Sequence, residues 1–236
     1  MKEEISLKTT ARLAGLFFLL QAATTAFSLG YVRASLIVSG NAAATANNIM
    51  ANESLFRLAI VSSLFTQIFL LLFGLAVFRI FRTVNKTWAT VFLTSILMTV
   101  VIAVVNTLNN TAALVVLSKA DYLSVFGQEQ INAIAMIFLR LNNSGQGLVE
   151  LFWTPYLFAF GLLIIKSKYI PKILGILLII SAVGFPVNTF TKILVPQFYP
   201  TIFFQIAQFS VAVGVIPITF WLLIKGVKEQ PRISEV

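Results

Sequence analysis

The chain has 236 residues, of which 58% are apolar and 11% charged, and its mean hydropathy is +0.94. These values exclude an ordinary soluble domain and a disordered chain. The 236 residues contain no Cys and no His, which excludes disulfides, thiolate nucleophiles, haem ligation by these residues and most zinc sites. The absence of His also removes the usual general base of catalysis at neutral pH.

Six segments, in chain order, are long and apolar enough to cross a bilayer, which takes about 20 mostly apolar residues. They lie at about 11–31, 55–81, 89–117, 143–165, 170–190 and 201–225. The first is expected to stay as a span and not to be cleaved as a signal peptide, because no small-residue cleavage site is evident before Ser39. We therefore predict an all-α integral membrane protein: one domain, residues 1–236, built as a bundle of six transmembrane helices.

The polar residues of each segment lie in one half of it. They are Gln21, Thr24, Thr25 and Ser28; Ser62, Ser63, Thr66 and Gln67; Asn106, Asn109 and Asn110; Asn142, Asn143, Gln146 and Glu150; Asn188 and Thr189; and Gln205 and Gln208. Since successive helices cross in opposite directions, all these halves face one side of the membrane. Polar groups in hydrocarbon are costly unless satisfied, so the pattern predicts a polar cavity open to that side. The alternative is that these residues only hold helices together by hydrogen bonds worth about 0.6 kcal/mol each.

The positive charges predict the orientation. Of the 17 Lys and Arg residues, twelve lie at the connections on the N-terminal side of the membrane and five on the other side. The positive-inside rule then places both termini on the cytoplasmic side, with the polar halves outward. The net charge of +9 is explained by this rule and by contact with anionic lipid headgroups, and no nucleic-acid partner is expected.

The longer connections carry local helix signals. Asn41 is a predicted N-cap for a helix that runs to Met50, either an interfacial helix or an early extension of the second span. Glu53 and Arg57 are four residues apart in the order that favours a surface ion pair. Residues 128–142 are too apolar for a loop and too short to span; they form an interfacial helix or the start of a long tilted one.

Glu150 is the acid that lies clearly inside a predicted span. A charged carboxylate there costs about 2.5–3.5 kcal/mol on insertion scales. One interpretation is a ligand-binding or proton-accepting group at the floor of the cavity. The other is a protonated side chain that is hydrogen-bonded to Asn106 or Asn110, or one that extends toward the outer surface.

Three arginines, Arg33, Arg57 and Arg140, lie near the predicted outer mouth. Guanidinium groups bind carboxylates and phosphates through paired hydrogen bonds, so these residues could receive an anionic headgroup or metabolite. The alternative is anchoring at the interface, with local ion pairs to Glu53 and Glu129.

Several stretches resemble one family. The most specific is AAATANNIMANESLFRLAIVS at 42–62, followed by KTTARLAG at 8–15, ADYL at 120–123, KYIPKILGIL at 168–177 and WLLIKGVK at 221–228. Together they are similar, over nearly the whole chain, to the uncharacterised bacterial membrane family DUF4386. The resemblance implies six spans and a plasma-membrane location, and it implies no activity.

The leading hypothesis is a polar cavity that binds a small anionic molecule or a lipid headgroup. Its predicted lining residues are Glu150, Arg57, Arg140, Asn106, Asn110, Gln67, Gln146 and Gln205. No metal, cofactor or catalytic residue is predicted. The alternatives are an intramembrane enzyme that acts on lipids with Glu150 as acid or base, a transporter, and a structural or accessory subunit that pairs with itself or another membrane protein.

Overall fold

The computed structural model describes residues 6–118, 120–195 and 202–227, without the side chains of 188, 192 and 202–212. Throughout these ranges the regular structure is helical. The helices are α1 (Leu7–Thr25), which continues through a π-helical segment (Ala26–Val32) into α2 (Arg33–Leu36), α3 (Ala42–Ala51), α4 (Glu53–Phe81), α5 (Lys86–Leu117), α6 (Gln128–Ser167), α7 (Lys172–Leu194) and α8 (Ile202–Ile224). A 3₁₀ turn, Asp121–Leu123, lies between α5 and α6.

Five helical stretches of the described chain are long and apolar enough to cross a membrane. They are Leu7–Leu36, Glu53–Phe81, Lys86–Leu117, Gln128–Ser167 and Lys172–Thr191. Helix α8 adds a shorter apolar stretch, Val213–Ile224. The all-helical, membrane-type fold is therefore confirmed with five candidate spans. A sixth span and the location of the termini stay predictions.

Helix α6 begins fifteen residues before the predicted fourth span and runs for 40 residues without a break. Of the two alternatives for residues 128–142, the structure shows the start of one long helix. The reason lies in the sequence, because no proline interrupts the helix before Pro155, and an isolated glycine such as Gly145 costs a helix only about 1 kcal/mol.

Helix α3 is separate from α4. Asn41 caps it as predicted, since its Oδ1 accepts a hydrogen bond of 2.9 Å from the backbone N–H of Ala44. At the other end Asn52 leaves the helical conformation before α4 starts at Glu53. One face of α3 is buried, with Ile49 fully enclosed. The chain from 42 to 51 is thus its own packed helix and not an extension of the second span.

The chain forms two compact units. The polar unit comprises Leu20–Phe69 and Val100–Val149. The aromatic unit comprises Met1–Leu19, Leu70–Thr99 and Glu150–Val236. The divisions fall within α1, α4, α5 and α6, so each of these helices has residues in both units.

Packed rings form the centre of the aromatic unit. Phe73, Phe92 and Phe160 lie with ring centroids 5.4–6.0 Å apart, and the ring of Phe18 lies tilted against Phe73 at 4.7 Å. Such pairs add about 0.5–1.5 kcal/mol each beyond the burial of their area. These rings come from α1, α4, α5 and α6, so the cluster ties four helices together.

Glycines let two backbones of the aromatic unit approach closely. A Cβ placed on Gly161 of α6 would lie 2.5 Å from the carbonyl oxygen of Gly175 on α7. Small residues at such a crossing are typical of helix pairs in membranes, where close van der Waals packing replaces the hydrophobic effect as the main attraction.

Candidate functional site

Hydroxyl groups join α1 to α4 in the polar unit. Ser62 Oγ donates to the carbonyl oxygen of Thr24 at 3.2 Å, and Thr66 Oγ1 donates to Thr24 Oγ1 at 2.8 Å. Ser62 and Thr66 are both buried. These members of the predicted polar half therefore act in helix pairing.

Two asparagines join α5 to α6 in the same unit. Asn106 Nδ2 donates to the backbone carbonyl of Asn142 at 2.9 Å, and Asn142 Nδ2 donates to the backbone carbonyl of Asn106 at 3.0 Å. The side-chain oxygen of Asn106 accepts from Asn109 Nδ2 at 3.1 Å. A Cβ on Gly145 would overlap the Asn106 amide, so this glycine is what allows the pair to form.

A cavity of about 610 Å³, here called the large cavity, lies in the polar unit. Two arginines from separate parts of the chain line it: Arg33, which follows the π-helical segment, and Arg140 of α6. Asn143 and Ser144, on the same side of α6 as Arg140, supply further polar groups. The rest of the wall is mostly apolar and includes Leu29, Ile37, Met136 and Leu139.

A second void of about 30 Å³, the small chamber, lies in the same unit. Its polar lining residues are Ser28, Arg33, Ser63, Asn110 and Asn142. A void needs about 10–15 Å³ to hold one water, so this one has room for a water or a small functional group. Leu29, Arg33, Ile37 and Leu139 line both voids, which places the chamber directly beside the large cavity.

The π-helical segment Ala26–Val32 forms part of both walls. Leu29 lines the large cavity and the small chamber, while Ser28 and Val32 line the chamber. Ser28 Oγ donates to the carbonyl oxygen of Thr24 at 2.9 Å. π-Helical geometry is rare and occurs often at functional sites. No sequence pattern in this segment predicted it.

Two of the predicted site residues line these voids. Arg140 lines the large cavity and Asn110 the small chamber. Arg57 does not lie with them: it forms the predicted ion pair with Glu53, at 2.7 Å, and its side chain is 63% exposed. Glu129 and Arg140 form no ion pair within the part of the chain that the structure describes.

Four of the remaining predicted residues, those whose side chains the structure describes, line neither void. Asn106 is used in the α5–α6 pair. Gln67 has a buried Oε1 that finds no partner in the described part of the molecule, and Gln146 is half-buried on α6. Glu150, partly buried, belongs to the aromatic unit. The side chain of Gln205 lies outside the described residues, as do those of Asn188 and Gln208.

Sequence reasoning left Arg33, Ser28 and Ser63 out of the predicted lining set. Helical spacing carried the signal for Arg33, because Leu29, Arg33 and Ile37 are four residues apart and Arg140 and Ser144 repeat that spacing on α6. No sequence pattern indicated that the face with Arg33 and the face with Arg140 would lie opposite each other.

The comparisons with known proteins give one match. The model of the family described as "Domain of unknown function (DUF4386)" matches residues 13–226. No curated protein and no solved structure matches the chain significantly. Since the match covers nearly all of the chain, the protein belongs to the DUF4386 family.

Proposed function

We propose that this protein is a plasma-membrane protein that binds an anionic ligand, a small molecule or a lipid headgroup, in the large cavity of its polar unit. The observation that carries the proposal is the presence of two guanidinium groups, Arg33 and Arg140, on the wall of one cavity. No acidic residue is among the described residues that line it. The local field therefore favours a negatively charged ligand.

The size and lining of the cavity support this proposal. A volume of about 610 Å³ falls in the range of about 300–1,000 Å³ that is typical of small-molecule sites. Arg33 and Arg140 can each donate two parallel hydrogen bonds to a phosphate or carboxylate. Leu29, Ile37 and Met136 provide apolar surface beside them, which suits an amphiphile.

The proposed orientation has both termini in the cytoplasm and the large cavity open to the outside. It is supported by the excess of Lys and Arg at the connections on the N-terminal side. Because the 236 residues contain no cysteine, Ser39→Cys, at the cavity, creates a single thiol in this chain. A membrane-impermeant thiol reagent added to intact cells should label it. Labelling only after the cells are permeabilised would contradict the orientation.

A structural or accessory role is the second candidate. The reciprocal Asn106–Asn142 bonds favour it, because they show that part of the polar half serves helix pairing. The enzyme and transporter hypotheses stay predictions of the sequence.

The deciding experiment removes one arginine from the cavity. In native mass spectrometry with anionic phosphatidylglycerol and zwitterionic phosphatidylcholine, the protein should retain the anionic lipid, and Arg140→Gln should weaken that retention about tenfold or more. Arg57→Gln is the matched control: it changes the net charge equally, but Arg57 pairs with Glu53 away from the cavity lining. Equal weakening by both variants, or by neither, would contradict the proposal.

A further inference from the structure

The small chamber bears on which anion the large cavity accepts, and the inference drawn from it rests on the proposed function. The two voids share Leu29, Arg33, Ile37 and Leu139 in their walls. A ligand whose charged group binds at Arg33 therefore has its neighbouring atoms next to the chamber.

The chamber wall offers hydrogen-bond acceptors. Ser28 Oγ already donates its hydrogen to the carbonyl of Thr24 at 2.9 Å, and Ser63 Oγ donates to the carbonyl of Ala59 at 2.9 Å. A hydroxyl has one hydrogen and two lone pairs, so both serines can only accept from anything in the chamber.

Asn142 adds a third acceptor. Its Nδ2 donates to the backbone carbonyl of Asn106 at 3.0 Å. Turning the Asn142 amide over would place Oδ1 against that carbonyl oxygen, and two acceptors cannot bond to each other. The amide of Asn142 therefore keeps this orientation, and its Oδ1 can accept a hydrogen bond. Asn110, whose amide can accept or donate, completes the polar wall. Apart from the guanidinium of Arg33, which is itself a donor, these groups match a hydrogen-bond donor on the ligand.

The charge around the chamber decides between the two common donors, an ammonium and a hydroxyl. Arg33 lines the chamber, and none of the described residues around it is acidic. A second positive charge there would be repelled by the guanidinium. A neutral hydroxyl has no such penalty.

We infer that the ligand is a phosphate ester of a polyol, such as a phosphoglycerol headgroup, with its phosphate at Arg33 and Arg140 and a hydroxyl in the small chamber. Phosphate is favoured among anions because it is the charged group of bilayer lipids and fits guanidinium donors. A lipid headgroup and a free polyol phosphate share this chemistry.

The test compares two anionic phosphodiester lipids, one with headgroup hydroxyls and one without. Phosphatidylglycerol and phosphatidylethanol with the same acyl chains are both singly charged phosphodiesters, and they compete for the purified full chain in native mass spectrometry. The protein should prefer phosphatidylglycerol roughly two- to tenfold, the effect of one gained hydrogen bond. Phosphatidylethanolamine should bind more weakly than phosphatidylglycerol. A parallel pair, glycerol phosphate and ethyl phosphate, shows whether the soluble form is bound with the same preference.

Chamber variants separate this inference from the proposed function. Ser63→Ala and Asn110→Ala should lower phosphatidylglycerol binding toward the level of phosphatidylethanol and so abolish the preference. Ser35→Ala is the control, because Ser35 makes the same kind of bond to the carbonyl of Tyr31 but does not line the chamber. Equal binding of the two lipids, with retention still lost in Arg140→Gln, would overturn the hydroxyl inference and leave the anion site standing. No preference for either anionic lipid over zwitterionic phosphatidylcholine would overturn both.

Discussion

Different kinds of side chain join the helices within each of the two units. In the aromatic unit, rings such as Phe73, Phe92 and Phe160 fill the space between helices, and the void beside Phe18 and Phe73 measures about 10 Å³. In the polar unit, hydroxyl and amide groups bridge the helices, and voids of about 610 and 30 Å³ lie among them. Among the described residues, packed rings thus characterise the aromatic unit, and voids with polar lining characterise the polar unit.

This difference shows why polar residues in apolar helices do not all have one role. Asn106 bonds to Asn142 on α6, and Thr66 bonds to Thr24 on α1. Asn110 and Ser63, only a few residues away, line a void. Interhelical hydrogen bonds in membranes are weak on average, so a protein can place several for packing and still leave others for a ligand.

The largest effect is expected where two backbones touch in the aromatic unit. Gly161→Ala should lower the free energy of unfolding by about 1–3 kcal/mol, because the new methyl group would meet the carbonyl of Gly175, which cannot rotate away as a side chain can. Thermal unfolding in detergent measures this. Gly30→Ala, in the polar unit, is the control, since its Cβ would meet no atom within 4 Å. Equal effects would show that the close α6–α7 approach is not what stabilises the aromatic unit.

A smaller effect is expected in the polar unit. Asn106→Leu should destabilise by about 0.6–1.7 kcal/mol through loss of the bond to the carbonyl of Asn142. The same unfolding measurement applies, with Asn47→Ala on the exposed face of α3 as the control. If Asn106→Leu instead leaves stability unchanged and weakens retention of phosphatidylglycerol, then Asn106 belongs to the ligand site and the division between packing and lining residues is wrong.

The sequence predicted correctly those features that depend on residues close together in the chain. The cap at Asn41 and the ion pair of Glu53 with Arg57 depend on residues three or four positions apart, and both form as predicted. Membrane-type apolar helices follow from composition over about 20 residues. The location of the polar residues in one half of each apolar segment is likewise visible in the sequence itself.

Tertiary structure decided which of those polar residues meet. The sequence placed Arg33, Arg57 and Arg140 near the predicted outer mouth. Only the packing of the π-helical segment and α2 beside α6 put Arg33 and Arg140 on one wall, and Arg57 pairs with Glu53 instead. The same holds for Asn106 of α5 and Asn142 of α6. They can pair because Gly145 of α6 has no side chain to occupy the space of the Asn106 amide. Periodicity determines the face on which a residue lies, whereas the partner opposite that face depends on contacts between distant parts of the chain.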